Sequence, residues 1–348
     1  MKRIIVFCIA ALILFTSVAG CSGTVEANAP QSPGASVYIT KLFIIEGAVW
    51  YFRDERDSSG TGTLFALDSE GYEIERHTFP TYIAPDYSKS RGLFYYIDGD
   101  TLCSYNPLGD VVANVCVTGS TSYFVQVATD NYVIITNYIQ GDFPAFKNNT
   151  VVNLNTNEVY VASGLGIGTH SILDTYEDKI ILWEDQVILR ENQEDYYRSI
   201  NLYDCATDSS VELYKKEPAY TGGISYGCLF NDSLYFVEGA PYGVLKVIGS
   251  FDSGAEQTPT QVEGINRNVI NVAGTGEYIV CAVREGSNSS PSQISFYYLY
   301  PDGRFVHFTT WEEARYWNLS TFRMAVADGI LVACITIQDN IFVYELNN

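Results

Sequence analysis

The chain has 348 residues, of which 47% are hydrophobic and 14% aromatic, so it is no disordered or fibrous protein. Its 41 acidic and 20 basic residues give a formal charge of −21, which argues against binding nucleic acid through phosphates or anionic lipid through a basic patch. Tyrosine, with 27 copies, is the most abundant aromatic residue, and it suits half-buried strands better than helices.

The first twenty residues have the pattern of a secretory signal. Lys2 and Arg3 precede an apolar run over residues 4–15, which is too short to span a bilayer comfortably. Shortly after the run stands Val18-Ala19-Gly20-Cys21, which resembles the bacterial lipobox, where the cysteine is lipidated and becomes the new N-terminus. We therefore expect a signal peptide over residues 1–20 and lipidation of Cys21; an ordinary signal peptide with an incidental cysteine is the alternative.

A tether and one large domain follow the signal. Residues 21–36 are rich in Ala, Gly, Ser and Pro without a hydrophobic period, which predicts a flexible tether. The domain over residues 37–348 would then lie outside the cytoplasm, held at the cell membrane by lipid alone.

This domain repeats one pattern seven times, a turn signal followed by a short apolar run. The runs start 39 to 55 residues apart, a period typical of propeller blades. They are Ala48–Arg53, Gly92–Ile97, Asn131–Thr136, Asp178–Trp183, Ser233–Glu238, Glu277–Ala282 and Gly329–Cys334.

Strands flank each run, which predicts four antiparallel strands per unit. After the first run, for instance, Leu64–Leu67 leads through a tight Asp-Ser-Glu-Gly turn to Tyr72–Glu75, and Tyr123–Val127 precedes the third run. The fold class is therefore all-β, a propeller of seven four-stranded blades, with six or eight blades as alternatives. The last unit lacks a fourth strand, so we expect the N-terminal strand Val37–Thr40 to complete it and close the ring.

Two of the runs carry a resemblance. Leu93–Gly99 (LFYYIDG) and Leu234–Gly239 (LYFVEG) each precede a further strand, and they resemble blades of bacterial lipoprotein propellers. These include the low-density-lipoprotein-receptor-like (YWTD-type) propellers and the uncharacterised domain-of-unknown-function propellers of Gram-positive bacteria. The resemblance covers most of residues 37–348, and it implies the fold and the location only.

The sequence contains no recognisable catalytic or metal-binding motif. Its three histidines have no metal-ligand spacing, and a nucleophile elbow, a P-loop and a dinucleotide fingerprint are all missing. We therefore expect no catalytic residue, no metal and no cofactor. Asp54, Glu55 and Asp57 could form an acid–base pair or hold calcium, but a solvated acidic loop is the simpler interpretation.

Export permits disulfides among the cysteines that follow Cys21. Cys103 and Cys116 flank one predicted hairpin, so they could form a disulfide or remain free. Cys281 and Cys334 fall inside apolar strands, where a free buried thiol is a normal core residue.

Loop lengths predict the ligand face. Loops joining the second to the third strand of a blade open on the same face as the connections between blades, and several of them are long. For Trp311 and Trp317, the alternative to a ligand-binding role is that they pack a short helix onto the ring. The ligand-binding candidates that these loops and connections bring to one side are Arg53, Asp57, Tyr138, Phe143, Phe146, Tyr196, Tyr197, Trp311, Arg315, Tyr316 and Trp317.

Three functions fit these patterns. We favour a non-catalytic binding or interaction module at the cell envelope, a monomer that takes a glycan or an envelope protein and no nucleic acid. A carbohydrate-active hydrolase or lyase is the alternative, and it would need two acids and an aromatic platform lining one central cavity. An assembly partner of another envelope protein would instead show a broad apolar patch on the side of a blade.

Overall fold

A computed structural model shows seven four-stranded antiparallel sheets arranged as the blades of a propeller, and it contains no helix, hence no membrane-crossing helix, in the residues it describes. Those residues are 27–28, 38–54, 60–80, 84–118, 123–138, 147–165, 169–190, 193–216, 224–239, 243–249, 257–265, 268–286, 292–316, 322–335 and 340–346. The prediction of seven four-stranded blades is confirmed.

In blades 1 to 6 the chain runs from the first strand, which lines the central channel, outward to the fourth; in blade 7 it runs outward over three strands, and the N-terminal segment supplies the fourth. The strands of blades 1 to 4 are Tyr38–Ile45, Ala48–Asp54, Gly62–Leu67 and Glu73–Phe79; Asp86–Ser88, Leu93–Asp98, Thr101–Asn106 and Val111–Val117; Tyr123–Ala128, Tyr132–Tyr138, Lys147–Asn153 and Val159–Val161; Thr169–Tyr176, Lys179–Arg190, Gln193–Asp204 and Ser209–Lys216. Those of blades 5 to 7 are Ile224–Phe230, Ser233–Glu238, Val244–Gly249 and Thr260–Gln261; Val269–Gly274, Ile279–Glu285, Ser292–Leu299 and Phe305–Tyr316; Phe322–Ala327, Ile330–Ile335, Asn340–Glu345 and the N-terminal Ala27–Asn28.

The seven apolar runs of the sequence are the second strands. They are buried on both faces because neighbouring blades cover them, as in Ala48–Asp54, where five of seven residues are buried. Tight turns join first and second strands: Asn231 and Asp232 have φ of 48° and 57°, and both residues of such a hairpin turn need a positive φ. Asn and Asp tolerate this region better than most residues, which is why polar residues mark these turns.

The core consists of apolar clusters between blades. Phe43 of blade 1 meets Phe94 of blade 2 edge-on, with ring centroids 4.9 Å apart. Phe296 of blade 6 stacks on Phe342 of blade 7 at 5.3 Å. A further cluster joins Val332 of blade 7 to residues of blade 1, so apolar contacts also link the last blade to the first.

The N-terminal segment closes blade 7, but with a different strand from the one predicted. Ala27–Asn28 pairs antiparallel with Ile341 and Asn340 as the fourth strand. Tyr38–Ile45, which contains most of the predicted closing strand, is the innermost strand of blade 1. The prediction of Val37–Thr40 was therefore wrong, and the strand lies within the segment predicted to be a tether.

Two further expectations need correction. Residues 305–316 form a strand and not a helix or an inter-blade loop, and its Trp311 is buried at 5% exposure against Phe342, at 5.5 Å between ring centroids. Trp311 is thus a core residue and not an exposed ligand-binding aromatic.

For Cys103 and Cys116 the sequence left a disulfide and free thiols open, and the structure shows free thiols. Cys103 and Cys116 are both free, because a bulge sets Cys103 opposite Asn114 and Cys116 opposite Leu102. The two thiols consequently pack into clusters on opposite faces of blade 2. Cys281 and Cys334 are free and buried, as expected.

Candidate functional site

The first strands line a central channel that has two differently built ends. We call the end formed by the turns between first and second strands the turn mouth, and the end formed by second-to-third loops and inter-blade connections the loop mouth. Two cavities of about 460 Å³ each open at the turn mouth, and one of about 310 Å³ lies deeper in the channel.

Two carboxylates inside the channel tie neighbouring blades together. Asp174 accepts hydrogen bonds from the Leu229 backbone N–H of blade 5 at 2.7 Å and from that of Thr175 at 2.8 Å. Asp86 accepts one from the Ala128 N–H of blade 3 at 2.7 Å and forms an ion pair with Lys41 of blade 1. Burial raises the pKa of Asp174, although these hydrogen bonds and the charge of Lys89 oppose the shift.

An arginine and a tyrosine cross the deeper cavity. Arg323 of blade 7 donates to the Tyr226 hydroxyl at 3.1 Å and to the Phe322 carbonyl at 3.0 Å. The Tyr226 hydroxyl, on blade 5, donates to the same carbonyl at 3.0 Å. Burial raises the pKa of Tyr226, opposed by Arg323, so the phenol stays neutral. Blades 5 and 7 are thereby linked across the deeper cavity.

The channel carboxylates therefore serve the fold. An acid–base pair for glycoside cleavage needs two carboxyl groups free to meet the substrate. Asp86 and Asp174 each accept a hydrogen bond from a backbone N–H of the next blade, so neither carboxylate is free in this sense. Among the described residues, no three His, Cys, Asp or Glu side chains converge as metal ligands do.

Carboxylates surround the turn mouth. The turns of six blades supply exposed acids, and the turn of blade 2 supplies Lys89 and Arg91 instead. Arg91 is bound to blade 3, at 2.5 Å from the Asp130 carbonyl oxygen and 3.2 Å from the Asn131 amide oxygen. Lys89 lines both turn-mouth cavities, and its charge acts on Asp174 in the channel, although no salt bridge joins Lys89 to another described residue. The exposed acids are Glu46, Asp130, Glu177, Asp232, Glu277 and Asp328.

These turn residues are the ones that sequence reasoning missed. Tight turns such as Glu46-Gly47 read as plain hairpin connections, because nothing in a turn's sequence reveals that seven of them meet around one opening. The available signal was the recurrence of an acid at the same place in six repeats.

The prediction from loop lengths concerns the loop mouth, and the structure describes only part of it. Arg53 lies in the second strand of blade 1, where it pairs with Glu73 at 2.6 Å and covers the Phe65 ring at 4.3 Å, so it is held within the sheet. The remaining predicted residues divide into two groups. The backbones of Tyr138, Tyr196, Tyr197, Arg315 and Tyr316 lie in strands, with side chains outside the described set, and Cys21, Asp57, Phe143, Phe146 and Trp317 lie outside the described residues altogether.

Comparison with known proteins supports the fold and nothing further. No protein-family model matches the chain, and no curated protein matches it. Among solved structures, an oligogalacturonate lyase from Vibrio parahaemolyticus is 10% identical with a TM-score of 0.57, over 94% of this chain and 93% of that one. The β-propeller domain of the Trilobed protease from Pyrococcus furiosus is 10% identical with a TM-score of 0.53, over 90% and 97%.

A third match is a larger protein. Dipeptidyl peptidase 4 from Porphyromonas gingivalis is 9% identical with a TM-score of 0.50, over 85% of this chain. This chain spans 48% of that protein's length. At these identities the similarities support the β-propeller fold and no shared activity.

Proposed function

We propose that the chain is a non-catalytic binding module, anchored by lipid at the outer face of the cell membrane, whose partner inserts a positively charged group into the turn mouth. The observation that carries the proposal is the meeting of exposed acids from six blades around one opening with cavities of about 460 Å³. Cavities of several hundred Å³ suit a small ligand or a side chain of a partner. The resemblance to lipoprotein propellers and the sequence before Cys21 support the location.

Electrostatics favours a cationic partner over an anionic one. A cleft rimmed by charges of one sign concentrates the field and raises the local concentration of oppositely charged groups. The formal charge of −21 extends this attraction to longer range, although salt screens it beyond about 8 Å at physiological ionic strength. Binding should therefore weaken as salt is added.

The test compares a pentalysine with a pentaglutamate peptide, by calorimetry on the purified full chain. We expect pentalysine alone to bind. Glu46→Gln with Glu277→Gln should weaken it about two- to thirtyfold, because an exposed ion pair contributes about 0.2–1 kcal/mol. Asp302→Asn is the matched control, since Asp302 lies in an outer turn and pairs with Arg304. Equal binding of both peptides, or equal effects of the variants, would contradict the proposal.

The loop mouth is the competing site, and the same assay separates the two ends. Tyr197→Ala and Trp317→Ala test the loop mouth, where the loop-length prediction puts both residues, and they leave the acids of the turn mouth in place. If these two changes abolish binding while Glu46→Gln and Glu277→Gln leave it intact, the partner enters from the loop mouth.

A carbohydrate-active hydrolase or lyase stays the alternative function. The oligogalacturonate lyase similarity supports it only through the shared fold. Incubation of the chain with oligogalacturonate, followed by chromatography of the products, decides between the binding module and the enzyme. Cleavage would show that the chain is an enzyme.

One observation favours a second binding role, as assembly partner of an envelope protein. The fourth strand of blade 2, Val111–Val117, has no charged residue, and Val111, Val112 and Val117 are 57%, 47% and 64% exposed. Leu108, in the preceding turn, is 60% exposed. An apolar patch on the side of a blade is the feature expected of such a partner.

A further inference from the structure

We infer that the turn-mouth cavity between blades 6 and 7 binds a zwitterionic ligand, with its ammonium group held by Glu277 and Asp328 and its anionic group held by Lys89. The inference rests on the proposed function, since it names the class of ligand for the same mouth. The ligand proposed here carries an anionic group in addition to the cation that the acids attract.

The charged groups of this cavity are few. Its lining contains three charged residues, Lys89 from the turn of blade 2, Glu277 from that of blade 6 and Asp328 from that of blade 7. The Glu277 side chain is exposed, and the described contact of the Asp328 carboxylate is a hydrogen bond from the Gly47 N–H at 3.3 Å. Two acids on adjacent blades thus share a cavity wall with a lysine from a distant blade.

The neighbouring cavity is built differently. It also contains Lys89 and two exposed acids, Asp130 and Glu177, but it adds a second cation, Lys41, which is paired with Asp86. Among the described lining residues of the cavity between blades 6 and 7, Lys89 is the single cation, and it shares the cavity with Glu277 and Asp328. A ligand that presents a cation at one end and an anion at the other matches both sets of groups there.

Lys89 is the residue that sets this specificity. Lysine is a point charge on a flexible stem, so it can meet a carboxylate or another small anion from several directions. A purely cationic ligand would be repelled by Lys89, whereas a zwitterion would be attracted by it. The same substitution should therefore change the affinities for the two ligands in opposite directions.

The experiment uses the purified full chain and three forms of trialanine: the free zwitterion, its C-terminal amide, which is a cation, and its N-acetyl form, which is an anion. We expect the zwitterion to bind most tightly and the N-acetyl form least. Lys89→Met should weaken zwitterion binding about two- to fivefold, the range of a partly exposed ion pair, and should leave amide binding unchanged or tighter. Glu277→Gln should weaken both, and Asp302→Asn, in an outer turn, should weaken neither.

Two results overturn the inference. If the amide binds as tightly as the zwitterion and Lys89→Met affects neither, the mouth takes a cation alone, so the proposed function survives without this refinement. If neither trialanine cation nor pentalysine binds, the proposed function falls as well. Circular dichroism of each variant confirms that the fold is retained.

Discussion

Glu238 shows how a single carboxylate can stabilise one blade. It ends the second strand of blade 5, where Lys216 and Lys246 each lie 2.9 Å from its oxygens and the Tyr214 hydroxyl donates to it at 3.2 Å. Its side chain is 9% exposed. Burial alone would raise the pKa of Glu238, but the hydrogen bonds and charges of the two lysines outweigh it and lower the pKa below 4.5.

We expect Glu238→Gln to lower the free energy of unfolding by about 1–3 kcal/mol at neutral pH, because it leaves two lysines without their partner. A lowered folded-state pKa contributes stability above the ordinary pKa of 4.5, and this contribution is lost as the pH falls through the folded-state value. The difference between wild type and variant should therefore shrink in acid. Thermal melts across a pH series measure it, and a difference independent of pH would contradict the assignment.

At the scale of elements, the closing strand is as short as any described strand of the ring, together with Thr260–Gln261. It contributes two residues, Ala27 and Asn28, to the edge of blade 7. Proline at both positions removes their N–H donors, and each backbone hydrogen bond contributes about 0.5–1.5 kcal/mol. We expect a modest fall in melting temperature for Ala27→Pro with Asn28→Pro.

Deletion of residues 37–41 is the informative comparison. It removes the start of the innermost strand of blade 1, including the pairing of Tyr38 with Asp54 and of Ile39 with Arg53. We expect this deletion to unfold or aggregate the protein. If the proline variant were the more damaging of the two, the ring would depend on its closing strand more than the pairing indicates.

The outer strand of blade 2 is an element at risk of aggregation. Long outer strands elsewhere carry charges, such as Glu212 and Lys215 in blade 4, and charges on an edge strand prevent pairing with other chains. We expect Val112→Lys with Val117→Lys to reduce aggregation on heating, measured by light scattering. Val211→Lys on the outer strand of blade 4 is the control, and equal protection by it would show a general charge effect.

Sequence reasoning found elements where a local pattern repeats and failed where distant segments compete for one place. The second strands were predictable because burial on both faces makes them apolar throughout, as in Ile330–Ile335. The closing strand was not, since Val37–Thr40 and Ala27–Asn28 are both short and unremarkable in sequence. Trp311 was misjudged because its segment was predicted to be an inter-blade connection or a short helix, whereas it is a strand in which Phe342, from the next blade, covers the Trp311 ring.

For the whole molecule, spacing favoured seven blades over six or eight, and the structure confirms seven, while the site did not follow from spacing. Residues of the turn mouth come from turns far apart in the chain, and only ring closure makes them neighbours. The loop-mouth residues are a prediction that the substitutions above address.

The anchor is a whole-molecule prediction as well. We expect Cys21→Ala to release the protein into the medium or to leave the signal uncleaved. Fractionation and mass spectrometry of the native membrane protein measure this, with Cys8→Ala, inside the signal, as the control. An unmodified Cys21 in the membrane fraction would contradict the prediction.

The pairing of Ala27 with Ile341 fixes how far the propeller can stand from a bilayer. If lipid holds Cys21, residues 22–26 are all that separate it from blade 7, and five extended residues reach roughly 16–18 Å. The attachment point then lies on the rim of the ring and at neither opening of the channel. Blades 3 and 4 lie across the ring from this attachment point, so the tether itself would cover neither mouth.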